Sequence, residues 1–158
     1  MSTPDSTPDV SPDSTPDSTA AETSGPRSAP DRPTFLGVAF DVPDLERVGR
    51  FYEALLGGSL EFDADGTWAS LTWDGPEIDF QLAPEHESPD WPRGQQQAHI
   101  DFAVRDIAAA HERVIALGGV ALDPTTPPEP RPERGFRVYA DPAGHPFCLC
   151  RPTPDAWD

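Results

Sequence analysis

Beside its 28 carboxylates, this sequence has four imidazoles and two thiols that can bind a metal ion, move a proton or attack an electrophile. His99 stands in the run Ala98-His99-Ile100-Asp101-Phe102-Ala103-Val104, and Cys148 and Cys150 in Pro146-Phe147-Cys148-Leu149-Cys150. An imidazole titrates near neutrality and is the commonest metal ligand. His99 therefore reads as a ligand or a general base, or structurally as a partly buried ring held by Asp101. A thiolate at Cys148 binds zinc, whereas a small buried thiol simply packs. The two together also make a metal-free pair, in which the imidazole lowers the thiol pKa and the thiolate attacks an electrophile or is oxidised. No third group orients the imidazole in that pair. Cys148 and Cys150, two apart, project the same way from one strand. That is poor geometry for a disulfide, so both read as thiols.

Binding without reaction draws on other residues. Trp68, Trp73, Trp91, Phe62 and Tyr139 offer flat apolar walls, and Asp41, Asp79, Asp101 and the loop Glu85-His86-Glu87 offer negative charge. That combination holds a cationic ligand. Trp91, between Asp90 and Pro92 in the polar stretch from Ala83 to Ala98, is the candidate lid. His86 reads as a solvated loop residue, His111 as a helix-surface residue and His145 as a turn residue. Pro124 to Pro132 reads as a stiff, polyproline-like connection, and Arg131, Glu133, Arg134 and Arg137 as a solvated charged face.

The elements that position these groups follow from pattern. The chain has 158 residues, with 11 basic side chains, all Arg, against 28 acidic ones and a formal net charge of −17. A field of that sign repels nucleic-acid phosphate and anionic membrane surfaces. No apolar run reaches the roughly 20 residues that span a bilayer, and the N-terminus lacks the features of a secretory signal. A soluble cytoplasmic protein is expected. Residues 1–33 repeat Ser-Thr-Pro-Asp and carry too few apolar side chains to offset the entropy of ordering, so they are expected to be a disordered tail.

Residues 34–158 read as one domain with an internal repeat, modules 34–83 and 98–152. Asp44 and Asp106 each open an amphipathic helix as N-caps. Leu45, Val48, Phe51/Tyr52 and Leu55 form one apolar stripe, and Ile107, Ala110, Val114 and Leu117 the other. Each helix stops at a Gly-Gly pair. A strand of period two precedes each, Phe35 to Val42 and His99 to Val104, and three short strand candidates follow each. The fold class is α+β, two βαβββ modules forming a concave mixed sheet with the helices packed on its outer face. Since each helix buries its stripe on the apolar strand face, Gly37, Ala39, Asp41, His99, Asp101 and Ala103 are left to line a concavity.

Paired βαβββ modules with Phe51-Tyr52 in an Asp-started helix ending Leu55-Leu56-Gly57, a strand opening His99-Ile100-Asp101-Phe102, and a final Asp141-Pro142-Ala143-Gly144-His145-Pro146-Phe147-Cys148-Leu149 resemble the vicinal oxygen chelate superfamily. That group includes glyoxalase I, bleomycin-resistance proteins, fosfomycin-resistance enzymes and extradiol dioxygenases. The resemblance spans 34–158. It implies metal ligands on the first and last strands of both modules, which fall here on Gly37, on Asp79 or Gln81, on His99 and on Cys148. Gly37 has no ligating side chain and Cys148 stands where Glu is usual, so the implied chelate is incomplete. His99, Cys148 and Asp79 or Gln81 remain as donors of types zinc accepts. The resemblance also implies a homodimer. Three readings stay open: a glyoxalase- or bleomycin-resistance-like protein that binds a small molecule through Asp41, Asp79, Gln81, Trp91, His99, Asp101 and Cys148, with a degenerate metal site or no metal; a divalent-metal-dependent lyase, isomerase or hydrolase using His99; and thiol chemistry at Cys148 and His99.

Overall fold

A computed structural model of the chain describes residues 34–95, 98–129 and 135–151. The expected disordered tail over 1–33 and the charged residues Arg131, Glu133 and Arg134 lie outside them. Module one runs β1 (Gly37–Val42), α1 (Leu45–Leu56), β2 (Ser59–Phe62), β3 (Trp68–Thr72) and β4 (Glu77–Leu82). Module two runs β5 (Ile100–Ala103), α2 (Ile107–Ala116), β6 (Val120–Asp123), β7 (Phe136–Ala140) and β8 (Pro146–Cys150). The eight strands divide into two four-stranded mixed sheets of identical order, β1-β4-β3-β2 and β5-β8-β7-β6. In each, the first and last strands of the module run parallel and the remaining pairs antiparallel. No helix among the described residues is long and apolar enough to cross a membrane.

The helix starts have local causes. The Asp44 carboxylate accepts from Arg47 N, and that of Asp106 from Ala108 N and Ala109 N. Each satisfies backbone donors that the first turn leaves without a partner. The alternation along the strands then sorts side chains. Val42, Leu60, Leu71, Ile78 and Phe80 are buried under α1, while Ala39, Asp41 and Gln81 stay exposed on the other face. We refer to the two faces of each sheet as covered and open.

The two covered faces share one core, and Tyr52 of α1 is its centre. The ring is fully buried, with centroids 5.8 Å from Phe40, 5.7 Å from Phe80, 6.3 Å from Phe102 and 6.3 Å from Phe147, so it touches strands of both modules. A buried tyrosine hydroxyl needs a partner. It donates to Asp141 Oδ2 at 3.1 Å. The Asp141 side chain is itself wholly buried, and it also accepts from His145 Nδ1 at 3.0 Å, from Ala143 N at 2.8 Å and from His145 N at 2.9 Å. Four donors meet the requirement that a buried carboxylate be hydrogen-bonded. Burial, and then the neighbouring Asp141 charge, raise the Tyr52 pKa well above the usual phenol value, so the hydroxyl remains a donor.

A second tie joins the modules. The loop after β4 lies on the turn between β7 and β8, where His86 Nε2 and Ser88 Oγ both donate to Ala143 O, at 3.1 and 2.7 Å. The His86 ring also lies against that of His145, centroids 4.7 Å apart. Gly144, with φ of +93°, permits this docking, because a Cβ there would lie 2.6 Å from Ser88 Cβ. His86 is thus a half-buried strap residue rather than a solvated one.

His111 is likewise not on the helix surface. It is 6% exposed and shares a 3.1 Å hydrogen bond with the Tyr139 hydroxyl. Burial and then the Arg137 charge lower its pKa, which favours the neutral imidazole. Arg137 itself is buried under the Pro-rich connection, donating to the carbonyls of Pro124 and Thr126, and so is not part of a solvated face.

Removing the Tyr52 hydroxyl tests how much the fold rests on this contact. Tyr52→Phe is expected to cost about 1.5–3 kcal/mol, the range for a hydrogen bond to a charged acceptor, and Tyr52→Ala roughly 3–5 kcal/mol from the added cavity. In urea denaturation both midpoints should fall with little change in slope. A Tyr52→Phe midpoint equal to wild type would show that the hydroxyl does not hold the modules together.

Candidate functional site

The open face of the second sheet gathers the chemistry. β5 and β8 run parallel with Asp101 opposite Cys148 and Ala103 opposite Cys150, and His99 lies two residues before Asp101. His99 Nε2 is 3.4 Å from Asp101 Oδ1, with both side chains about half exposed, whereas Cys148 is 5% exposed. One ligand atom from each of His99, Asp101 and Cys148 lies within 4.8 Å of the others. Nitrogen, oxygen and sulfur donors therefore converge at the rim of a sheet, one of them held rigidly in a buried strand.

The electrostatics bear on the thiols. Burial, then the hydrogen bond and charge of Asp101, push the Cys148 thiol up to about 12. The Cys150 thiol is raised too, by burial and then by Asp101. A nucleophilic cysteine needs the opposite shift. His99 directs its Nε2 at Asp101, which leaves the thiol as donor to the carboxylate. The pair chemistry expected of Cys148 and His99 without a metal has no support in this arrangement.

Other sequence-derived site residues lie elsewhere in the chain. Asp41, Asp79 and Gln81 sit on the open face of the first sheet, with Gln81 beside Asp41 and Trp68 in the register. Asp79 accepts a 2.5 Å hydrogen bond from Ser70 Oγ, which in turn accepts from Trp68 Nε1 at 3.1 Å. Asp101, from the paired strand, lies with His99 and Cys148, while Asp79 and Gln81 stand on β4 of the other sheet. Gly37 is no vacant ligand position. A Cβ there would lie 2.2 Å from Glu77 O, so the glycine is required by close backbone packing. Of the expected aromatic walls, Tyr139 is fully buried on the covered face and Phe62 lies beneath the Arg50 guanidinium, 5.6 Å from its ring centroid. Trp91 is half-buried in the strapped loop.

Beside the cluster is a cavity of about 370 Å³ lined by Phe35, Gly37, Val38, Trp73, Pro76, Ile78, Ile100, Asp101 and Phe102. Trp73 is fixed by donating Nε1 to Pro76 O at 2.7 Å and by an edge-on contact with Phe102, centroids 6.2 Å apart. Among the described residues, Asp101 is the only charged one of that lining. No described strand position on either open face carries an arginine, whereas Asp41, Glu61, Glu77, Asp79 and Asp101 all do carry charge there. Sequence reasoning had placed Asp101 and Trp73 separately; nothing in local pattern signalled that they share a cavity, or that Phe35 and Phe102 wall it.

The family model of the glyoxalase-like domain matches residues 37–150. No curated protein matches. Among solved structures, a variant of the fosfomycin resistance protein FosX from Listeria monocytogenes, complexed with Mn(II) and 1S,2S-dihydroxypropylphosphonic acid, is 18% identical, covering 77% of this chain and 92% of that one, with a TM-score of 0.57. A glyoxalase-related enzyme from Fulvimarina pelagi is 22% identical over 75% and 88%, TM-score 0.56. A glyoxalase/dioxygenase from Nostoc punctiforme is 22% identical over 76% and 92%, also with a TM-score of 0.56. At these identities the likeness is one of fold.

The raised thiol makes a direct prediction. At pH 7.5 Cys148 should alkylate with iodoacetamide far more slowly than a free cysteine, and faster once denaturant removes the burial. Asp101→Asn should accelerate the native reaction, because it removes the carboxylate that favours the protonated thiol. Peptide mapping by mass spectrometry reads out the rate. Rapid native alkylation of Cys148 would mean that the thiol is activated rather than suppressed.

Proposed function

The chain belongs to the glyoxalase-like domain family, of the vicinal oxygen chelate superfamily, and from that premise we propose that it binds a small neutral or cationic molecule in the cavity beside Asp101. The observation that carries this reading is the cavity itself: apolar walls from both modules and one carboxylate at its lining, shared with the His99 and Cys148 cluster. Pockets of this size with few convergent polar groups bind ligands by burying an apolar body and orienting a polar head. Trp73, Phe102, Ile78 and Ile100 would take the body. Asp101 would take a cationic or hydrogen-donating head, with His99 alongside as donor or acceptor.

The ligand class follows from charge. The phosphonic acid in the FosX complex is an anion, and an anion at this rim would meet carboxylates on both open faces with no arginine among the described strand residues there. An amine or a neutral polyol fits the field better. The residues that would hold a divalent ion are His99, Asp101 and Cys148. When bound, such an ion supplies Lewis acidity to a ligand oxygen, and the metal-dependent lyase, isomerase or hydrolase reading rests on that cluster. Asp101 in either case holds the imidazole of His99 toward the site.

We further propose a homodimer, in which the open face of one copy's first sheet meets the partner's second sheet. Such a pairing would bring Asp79 and Gln81 toward a His99 and Cys148 cluster that a single chain holds apart from them. The protein is expected to sediment as a dimer.

Calorimetric titration with phenethylamine and with 3-phenylpropionate, which differ chiefly in the sign of the head group, tests the ligand class. The amine should bind and the carboxylate should not. Asp101→Asn should weaken amine binding about fivefold, the effect of roughly 1 kcal/mol for a half-exposed ion pair, and Trp73→Ala should weaken it further by removing a wall. Equal binding of both compounds, or binding unaffected by Trp73→Ala, would refute the assignment of this cavity.

A further inference from the structure

We propose that the chain carries a second small-molecule site, in a cavity flanked by Asp74 and Arg113, for a zwitterion of the α-amino-acid class with an apolar side chain. This cavity has a volume of about 420 Å³ and shares only Trp73 and Phe102 with the one beside Asp101. The inference does not depend on what the Asp101 cavity takes.

The cavity exists because the helices cover the core incompletely where the modules meet. Leu55 and Leu56 at the end of α1, Trp73 after β3, Val104 after β5 and Ala110 on α2 all pack against the core and are all only partly buried. Each of them also lines this cavity. Apolar surface left in contact with water at one place is surface that a ligand gains free energy by covering. The wall is formed in advance. Trp73 donates Nε1 to Pro76 O at 2.7 Å and sets its ring edge-on to Phe102, so a ligand has little side-chain ordering to offset there.

The charges select the ligand. Among the described residues, the charged ones of this lining are Asp74 and Arg113. Both are exposed, and neither is ion-paired with the other or with any other described residue. The Arg113 guanidinium is nonetheless anchored, because it donates to Ala54 O, a carbonyl that the last turn of α1 leaves without a helical partner. Its remaining N–H groups stand in a fixed fork that matches a carboxylate. The Asp74 carboxylate, next to the fixed Trp73, matches an ammonium. A lone anion would be opposed by Asp74 and a lone cation by Arg113, whereas a ligand bearing both charges answers both residues. The apolar lining then takes its side chain, in a volume within the range of about 300–1,000 Å³ usual for small-molecule sites.

Calorimetric titration of the full-length protein with leucine, N-acetylleucine, leucinamide and glycine tests this. Leucine should bind. N-acetylleucine and leucinamide, which each lack one charge, should bind about fivefold more weakly, the scale of one exposed ion pair. Glycine, with both charges and no apolar body, should not bind. Asp74→Asn should weaken leucine about fivefold and leave N-acetylleucine no weaker, since that ligand has no ammonium to lose a partner. Arg113→Gln should weaken leucine to a similar degree and leave leucinamide no weaker. Asp101→Asn should leave leucine binding unchanged, which separates this site from the amine site. Failure of leucine to bind, or binding of either singly charged form as tight as leucine, would overturn the proposal. So would wild-type leucine affinity in both the Asp74→Asn and Arg113→Gln variants. Weakening of leucine by Asp101→Asn as large as by Asp74→Asn would put the ligand in the neighbouring cavity and refute the second site. Leucine affinity that falls as protein concentration rises would make a second copy of the chain the occupant, which also refutes it.

Discussion

The buried contact between Tyr52 and Asp141 is the constraint around which the molecule is arranged. Each βαβββ module has a helix that packs chiefly on its own sheet, so two modules need a reason to share a core. Tyr52 supplies it by placing one aromatic ring against Phe40 and Phe80 of the first sheet and Phe102 and Phe147 of the second. Aromatic contacts alone tolerate sliding, because each is worth only about 0.5–1.5 kcal/mol and depends weakly on register. The hydroxyl does not tolerate it. An unpaired carboxylate in the core is costly, so Asp141 fixes the β7–β8 turn against α1, and through Ala143 and Gly144 it fixes the strap that carries His86 and Ser88.

That arrangement has a consequence for the site. With both covered faces spent on the common core, both open faces point away from it and carry polar residues such as Asp41, Gln81 and Asp101. The edge strands β1 and β5 then leave between them the apolar cavity that Trp73 and Phe102 wall. Asp101 belongs to cavity and cluster at once because β5 is an edge strand: its inward residues Ile100 and Phe102 line the cavity, and its outward residue pairs with Cys148 across the register. The same carboxylate that gives the cavity its charge also suppresses the thiol beside it.

Much of this was legible in the sequence, and the division between what was and was not is physical. Periodicity is a local property, so the strands, the two helices and their Asp caps could be read from spacing, and the repeat of Asp44 and Asp106 with their Gly-Gly stops revealed the modules. His99 and Cys148 could be placed on one face for the same reason. Partnership across strands is not local. Asp79 and Gln81 have the right alternation to accompany His99, but β4 pairs with β1 and β3, and only sheet order shows that Asp101 is the nearer donor. His86 and His111 look solvated in sequence, because the contact that buries a loop or helix residue lies elsewhere in the chain. Tyr52 carried a usable signal: a hydroxyl on a buried stripe demands an acceptor, and Asp141 in a turn with donors on every side is a suitable one.

Gly37 and Cys148 illustrate two different ways in which a ligand position can be altered. At Gly37 the carbonyl oxygen of Glu77 occupies the space a side chain would need, so the position is closed by packing. At Cys148 the position is open and a donor remains, but a softer one, buried in a strand and accompanied by a second thiol two residues on. The first position has no side chain to offer; the second sets a thiol beside His99 and Asp101. Together they leave the convergence of imidazole, carboxylate and thiol to the second sheet, where Asp101 serves both the cluster and the cavity beside it.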